Sequence, residues 1–171
     1  MMSLVETGRG GEALSDLYRA HYRPLVRLAA LLLGDVPTAE EVVQDAFVQM
    51  HRSWDRVDDP SKRPAYLRSI VMNGARSRSR RRTAGRRLEL AGAAATSASA
   101  ETSALAHDER RQMLDALRAL PDRQRDCLVL RYYLDLSEAE IAATLGISTG
   151  SVKTHTHRGI AALERVLETT R

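Results

Sequence analysis

A chain of 171 residues can hold one ordinary domain or two small ones. Its 43% hydrophobic content supports packed cores, and its 4% aromatic content means cores built mainly from Leu, Val, Ile and Ala. The single cysteine, Cys127, excludes an intramolecular disulfide and a Cys-rich zinc site; it sits beside Leu128, Val129 and Leu130 and reads as a buried small residue.

Charge is unevenly distributed. The formal net charge is +4. Residues 1–82 carry 14 Lys+Arg against 10 Asp+Glu, residues 83–107 two of each, and residues 108–171 ten of each. The excess therefore lies in the first half, much of it within Arg76 to Arg82, and a basic cluster of that kind points to a polyanionic partner. No apolar run reaches the roughly 18 residues of a membrane span, and the N-terminus has no signal-peptide core, so a cytoplasmic protein is expected.

Residues 1–11, ending Gly-Arg-Gly-Gly, read as a mobile leader. From Glu12 a helix is expected, with Leu14, Leu17, Tyr18, Leu25, Leu28, Ala29 and Leu32 at three- and four-residue steps. Pro24 predicts a kink or break near Tyr22. Gly34-Asp35 closes the run, and Asp35 or Thr38 can cap a second helix with Pro37 in its first turn. That helix buries Val42, Val43, Ala46, Phe47 and Met50. Its opposite face, Glu40, Glu41, Gln44, Asp45 and Gln49, is polar and mostly acidic, which by default is a solvated face.

After the loop VDDPSKRP a third helix packs Ala65, Leu67, Ile70, Val71 and Ala75 inward and offers Tyr66, Arg68, Asn73, Arg76, Ser77 and Arg80 elsewhere. It ends in RSRSRRR. Because that run continues an amphipathic helix, a nucleic-acid surface explains it better than a solvated arm. Residues 83–107 are rich in Ala and Ser and read as a flexible linker, of roughly 25–30 Å root-mean-square span if unstructured.

A second domain, residues 108–171, opens with a helix marked by Met113, Leu114, Leu117 and Leu120 and ended by Pro121. Asp122 to Leu134 forms another, with Cys127, Leu128, Leu130, Arg131 and Leu134 spaced to pack at least partly inward. Ser137 and Glu140 then form a capping box, Ile141, Ala142 and Leu145 an apolar stripe, and Gly146 a turn. Ser148 caps a last helix whose inner face holds Val152, Thr156, Gly159, Ile160 and Leu163. This is the helix-turn-helix pattern, whose second helix enters the major groove. The outward residues Thr149, Ser151, Lys153, Thr154, His157 and Arg158 include no carboxylate, as approach to phosphates requires. An all-α fold follows: two small helical domains on a flexible linker, the second carrying the helix-turn-helix.

Three segments in this order, AEEVVQDAFVQMHR, RPAYLRSIVMNGARSRSRRR and ALRALPDRQRDCLVLRYYLDLSEAEIAATLGISTGSVKTHTHRGIAAL, resemble the bacterial RNA polymerase sigma factors of the extracytoplasmic-function group. The similarity runs from about Leu14 to Leu167. The resemblance implies that residues 12–82 correspond to sigma region 2 and residues 108–171 to region 4. It implies that Glu40, Glu41, Gln44, Asp45 and Gln49 dock on the β′ clamp helices of core polymerase, with the β flap as a further contact. Tyr66, Arg68, Asn73, Arg76 and Arg80 would hold the non-template strand of the minus-ten element, with a flipped base received near the loop after Trp54. Thr149, Ser151, Lys153, Thr154, His157 and Arg158 would meet the minus-thirty-five element. Promoter DNA and an anti-sigma factor are the other implied partners. Two departures bear on this: Ser77 stands where the family often has Asp, and His155 and His157 stand where it frequently has Arg or an apolar or aromatic residue.

The segment LSEAEIAATLGISTGSVKTH also resembles the DNA-binding end of LuxR-type response regulators, so a dimeric regulator acting without polymerase membership is the alternative. Its receiver half would be α/β, whereas residues 12–82 have helical periodicity throughout. An enzyme is disfavoured: His155 and His157 diverge on their helix, His21, His51 and His107 lack companions at ligand spacing, and no phosphate-cradling Gly motif or nucleophile elbow occurs. No catalytic residue, metal site or cofactor is expected.

Overall fold

A computed structural model of the chain describes residues 3–90 and 104–169, with side-chain surroundings for 11–85 and 111–168. Among the described residues seven α-helices follow one another: α1 (Ser3–Leu33), α2 (Val36–Arg52), α3 (Arg63–Leu90), α4 (Ala104–Ala119), α5 (Asp122–Tyr132), α6 (Glu138–Leu145) and α7 (Thr149–Thr169). Short 3-10 turns at Trp54–Arg56 and Pro60–Lys62 join α2 to α3. No strand occurs among the described residues.

Helices α1 to α3 pack as a three-helix unit. Leu25, Leu28, Ala29 and Leu32 of α1 meet Val42, Val43, Ala46 and Met50 of α2 and Leu67, Val71, Met72 and Ala75 of α3, all buried. Each set recurs at three or four residues, which puts it on one stripe of its helix. Tyr18, Tyr22 and Phe47 extend this core, with the Tyr18 ring 4.6 Å from Tyr22 and 4.9 Å from Phe47. Asp35 caps α2, accepting from the Thr38 backbone N–H at 2.9 Å and from the Thr38 hydroxyl. These bonds hold its carboxyl below the usual carboxylate range.

The break expected at Pro24 does not occur; α1 runs through it. Pro24 is exposed, so water can serve the carbonyl that its missing N–H leaves unpaired, and the buried Leu25, Leu28 and Ala29 hold the helix beyond it. Helix α1 begins at Ser3, within the stretch expected as leader. Its glycines each cost about 1 kcal/mol in a helix, less than a proline break, and good helix formers flank them. The stretch expected as linker is helical at both ends: residues 83–90 complete α3 and 104–107 open α4, as their Ala and Leu content favours, while 91–103 lie outside the described residues.

In the second unit, Cys127, Leu130, Leu136, Ile141, Leu145 and Val152 are buried between α5, α6 and α7. Burial pushes the Cys127 thiol up to about 11, which keeps it protonated and inert. Asp135, at φ 51°, turns the chain out of α5, and the Leu136 N–H closes the turn on the Leu130 carbonyl at 3.1 Å. Arg131, expected to pack partly inward, is exposed and donates to the Leu136 carbonyl at 3.0 Å; a guanidinium at the end of a helix is better served by that carbonyl than by the core.

The two units are joined. Helix α3 lies against α6, and their buried apolar residues form one continuous cluster.

Candidate nucleic-acid interface

The helix-turn-helix is built by local bonds. Ser137 Oγ accepts from the Glu140 N–H at 3.3 Å, while the Glu140 carboxylate accepts from the Ser137 N–H at 2.9 Å. The bonds from Ser137 hold the Glu140 carboxyl low. Gly146 ends α6 in the left-handed region at φ 64°, and the Ile147 N–H returns to the Ala142 carbonyl at 3.2 Å. Ser148 then caps α7, accepting from the Ser151 N–H at 3.1 Å.

On α7 this leaves Thr149, Lys153, Thr154, His157 and Arg158 exposed while Val152 faces the core. Ser151 is half-buried with its hydroxyl 2.9 Å from that of Ser148, so it serves the cap. Thr154 Oγ1 donates back to the Gly150 carbonyl at 3.0 Å, and Lys153 lies 3.6 Å from Glu138 in an exposed pair. Exposed pairs of this kind contribute about 0–1 kcal/mol, so Lys153 is available to another anion.

On the first unit, Glu40, Glu41, Gln44, Asp45 and Gln49 are all exposed along one side of α2. Arg78 of α3 reaches over to Glu41 at 3.1 Å and Asp45 at 3.9 Å. Between α2 and α3 a cleft of about 420 Å³ is lined by Asp45, Gln49, Tyr66, Asn73 and Ser77, among others. The loop after Trp54 is fixed by Asp59, which accepts from the Ser61 N–H at 2.9 Å, and by the Arg63 guanidinium, which stacks 4.0 Å above the Trp54 ring.

The arginines of α3 do not form one open surface. Arg68 Nε donates to Thr144 Oγ1 at 3.3 Å, Arg76 Nε to the Asp126 carboxylate at 2.7 Å, and Arg80 lies 3.8 Å from Asp122. All three partners belong to the second unit. Asn73 Oδ1 accepts from Arg76 at 3.3 Å, and Tyr66 is half-buried. Asp126 is wholly shielded from water; burial raises its carboxyl pKa, and the Arg76 guanidinium opposes that rise. The run RSRSRRR thus divides: Arg76 and Arg80 face the second unit, Arg78 faces α2, and Arg82 donates to the Leu33 carbonyl at 2.7 Å.

Asp122, Asp126 and Thr144 were not singled out from the sequence. One signal existed: Asp126 stands directly before the apolar run CLVL, and a carboxylate in a buried stripe calls for a cationic partner. Among the described residues no group of His, Cys, Asp or Glu could hold a metal, and no helix is long and apolar enough to cross a membrane.

Comparison with known proteins assigns the fold. Residues 17–85 match sigma-70 region 2, and residues 110–163 match sigma-70 region 4. The chain is 33% identical over 160 residues to the RNA polymerase sigma-E factor of Streptomyces avermitilis, covering 92% of this chain and 88% of that protein. It is 29% identical to the extracytoplasmic-function sigma factor SigW of Bacillus subtilis, covering 91% of this chain and 89% of that one. The solved sigma factor RpoE from Bartonella quintana, in complex with the anti-sigma factor NepR, superposes with a TM-score of 0.67 at 24% identity, covering 94% of this chain and 98% of that one. Two capped helical units of this kind, one ending in a helix-turn-helix, define a promoter-recognition protein. The chain belongs to the sigma-70 family, in the extracytoplasmic-function group of RNA polymerase sigma factors.

Proposed function

We propose that the chain docks on core RNA polymerase through the acidic side of α2 and directs initiation at promoters with two spaced elements. Glu40, Glu41, Gln44, Asp45 and Gln49 would meet the β′ clamp helices, and the second unit the β flap. Thr149, Lys153, Thr154, His157 and Arg158, with Ser151 at the cap, would read the minus-thirty-five element. Tyr66, Arg68, Asn73, Arg76 and Arg80 would hold the melted minus-ten strand. The domain limits are taken as 12–82 and 108–171. An anti-sigma factor is a further proposed partner, and the site of action is the cytoplasm, where polymerase and promoter meet. The chemistry is binding and strand separation, with no bond made or broken by the chain itself.

The observation that carries this reading is the coexistence in one chain of an open acidic face on α2 and an open, acid-free face at the start of α7. The covered arginines of α3 add an order of events. Polymerase can dock on α2 while the units are together, whereas Arg68 and Arg76 become available only when α5 and α6 leave α3. Extruding a base costs a few kcal/mol, and cationic contacts to the freed strand offset it. Tethering both units to one polymerase raises their effective concentration at paired sites.

The test is transcript-start mapping with purified protein, sigma-free core polymerase and fragmented genomic DNA. Discrete starts sharing two upstream motifs at a fixed spacing are expected. No stable complex and no starts, alongside specific DNA binding by the protein alone, would overturn the reading in favour of a dimeric regulator.

A further inference from the structure

A second cationic feature adjoins the proposed minus-ten face. A cleft of about 380 Å³ opens where the end of α1 and the end of α3 meet α4 and α5. Arg82, Arg118 and Arg125 line it, with the hydroxyl residues Ser79 and Thr83 and a single carboxylate residue, Asp115. Asp115 and Asp122 pair with Arg118 and Arg125, which leaves Arg82, on the Leu33 carbonyl, as the cation of the wall without a carboxylate at salt-bridge distance among the described residues. The volume falls within the roughly 300–1,000 Å³ typical of small-molecule sites.

The guanidinium groups are placed by the fold. Arg125 is 5% exposed; it donates to the Arg118 carbonyl at 3.3 Å and to Asp122 at 2.9 Å, yet its buried Nε has no acceptor. Arg118 donates to Asp115 at 3.3 Å, and its buried Nε also has no acceptor. The Arg118 guanidinium is seated against Gly34, where a Cβ would come within 2.9 Å of its central carbon, at a backbone φ of +75°. A side chain at position 34 would displace the guanidinium. Burying a cationic donor without an acceptor is costly, so both guanidinium groups carry a donor that the described residues leave unmet. A planar guanidinium fork matches phosphate geometry.

We infer that this inter-domain cleft is a binding site for a small phosphate-bearing solute, held by Arg82 from the first unit and by Arg118 and Arg125 from the second. The walls come from both units, so the site exists only while the units are together, and an occupant favours the closed arrangement by binding that state alone. Asp122 connects the cleft to the promoter face, since it lies 2.9 Å from Arg125 and 3.8 Å from Arg80. The existence of the site is independent of the proposed function. Its consequence, a phosphate-responsive brake on exposure of the minus-ten face, rests on that reading.

The experiment is calorimetric titration of the full chain with inorganic phosphate and with pyrophosphate, at physiological chloride. Arg82→Gln and Arg118→Gln test the site while sparing the buried Arg125; Arg56→Gln, exposed and remote from the cleft, makes the same change in net charge. Saturable binding of at least one probe is expected, weakened roughly tenfold in the two cleft variants by loss of a charge-assisted contact and unchanged in Arg56→Gln. Absence of saturable binding by both probes, or equal weakening in all three variants, would overturn the proposal. Neither result depends on polymerase or promoter DNA, so the outcome is separate from that of the transcription test.

Discussion

Arg76 in α3 donates to the carboxylate of Asp126 in α5 at 2.7 Å, and this bond joins a proposed minus-ten contact to the interior of the other unit. Asp126 has no exposed surface and Arg76 has 12% of its side chain exposed, so the pair is screened from water and salt. Removing one partner of such a pair costs about 3–5 kcal/mol, because the other charge is left buried and unpaired. Asp126→Asn should therefore loosen the contact between the units while retaining Arg76. The free variant is expected to bind a single-stranded minus-ten oligonucleotide more tightly than the parent and to show a larger radius of gyration, with helix content unchanged. Unchanged affinity and dimensions in a folded variant would contradict the role of this pair.

Arg158→Ala should weaken use of promoters with a strong minus-thirty-five element, by about 1–3 kcal/mol if the side chain makes a bidentate base contact. Arg158 is exposed on α7 and far in sequence from α2, so co-purification with core polymerase should be unaffected. Equal loss of both would contradict its assignment.

Charge reversal on α2 tests the other interface. The double variant Glu40→Lys and Gln44→Lys changes two exposed positions that make no ion pair with α3, unlike Glu41 and Asp45 beside Arg78. Stability should change by less than about 0.5 kcal/mol. Polymerase binding in a pull-down should fall at least tenfold while binding to a minus-thirty-five duplex is retained.

The turn of the helix-turn-helix is expected to be sensitive in a local way. Gly146→Ala places a Cβ at φ 64° and should cost about 1–2 kcal/mol, although nothing crowds the position. Ser137→Ala removes the hydroxyl half of the capping box and should cost about 1 kcal/mol. Thermal unfolding would register both as lower midpoints. Neither should alter polymerase pull-down.

Between neutral and mildly acidic pH, His21 of the first unit contributes to acid sensitivity. Burial, with the Arg68 charge added, holds the His21 pKa below its ordinary value of about 6.5. The unfolded chain therefore takes up this proton first as pH falls. The sign is a loss of stability on acidification, beginning near the ordinary histidine pKa and ending at the lower folded value. His21→Gln should flatten that part of a melting-temperature profile measured between mildly acidic and neutral pH.

The helix-turn-helix was legible in the sequence because its determinants are local: Ser137 with Glu140, Gly146, and Ser148 act within a few residues of one another. The acidic side of α2 was legible for the same reason, since one helical period sorts Val42 and Val43 from Glu40 and Gln44. Pro24 does not break α1, because the buried Leu25, Leu28 and Ala29 beyond it override a local breaker. The covering of Arg68 and Arg76 was not legible, because periodicity tells which residues leave a helix's own core and not what they meet across 50 or more positions, as Arg76 meets Asp126.

Arg68 and Arg76 of the proposed minus-ten face are covered by the second unit in the free protein and are expected to be uncovered on polymerase. Spin labels at Arg52→Cys on α2 and Glu164→Cys on α7 would report it directly. Both positions are exposed, and the native Cys127 is buried away from labelling. One short inter-label distance is expected in the free protein, replaced by a longer one on addition of core polymerase. The same distance in both states, from a complex that still initiates transcription, would contradict the account.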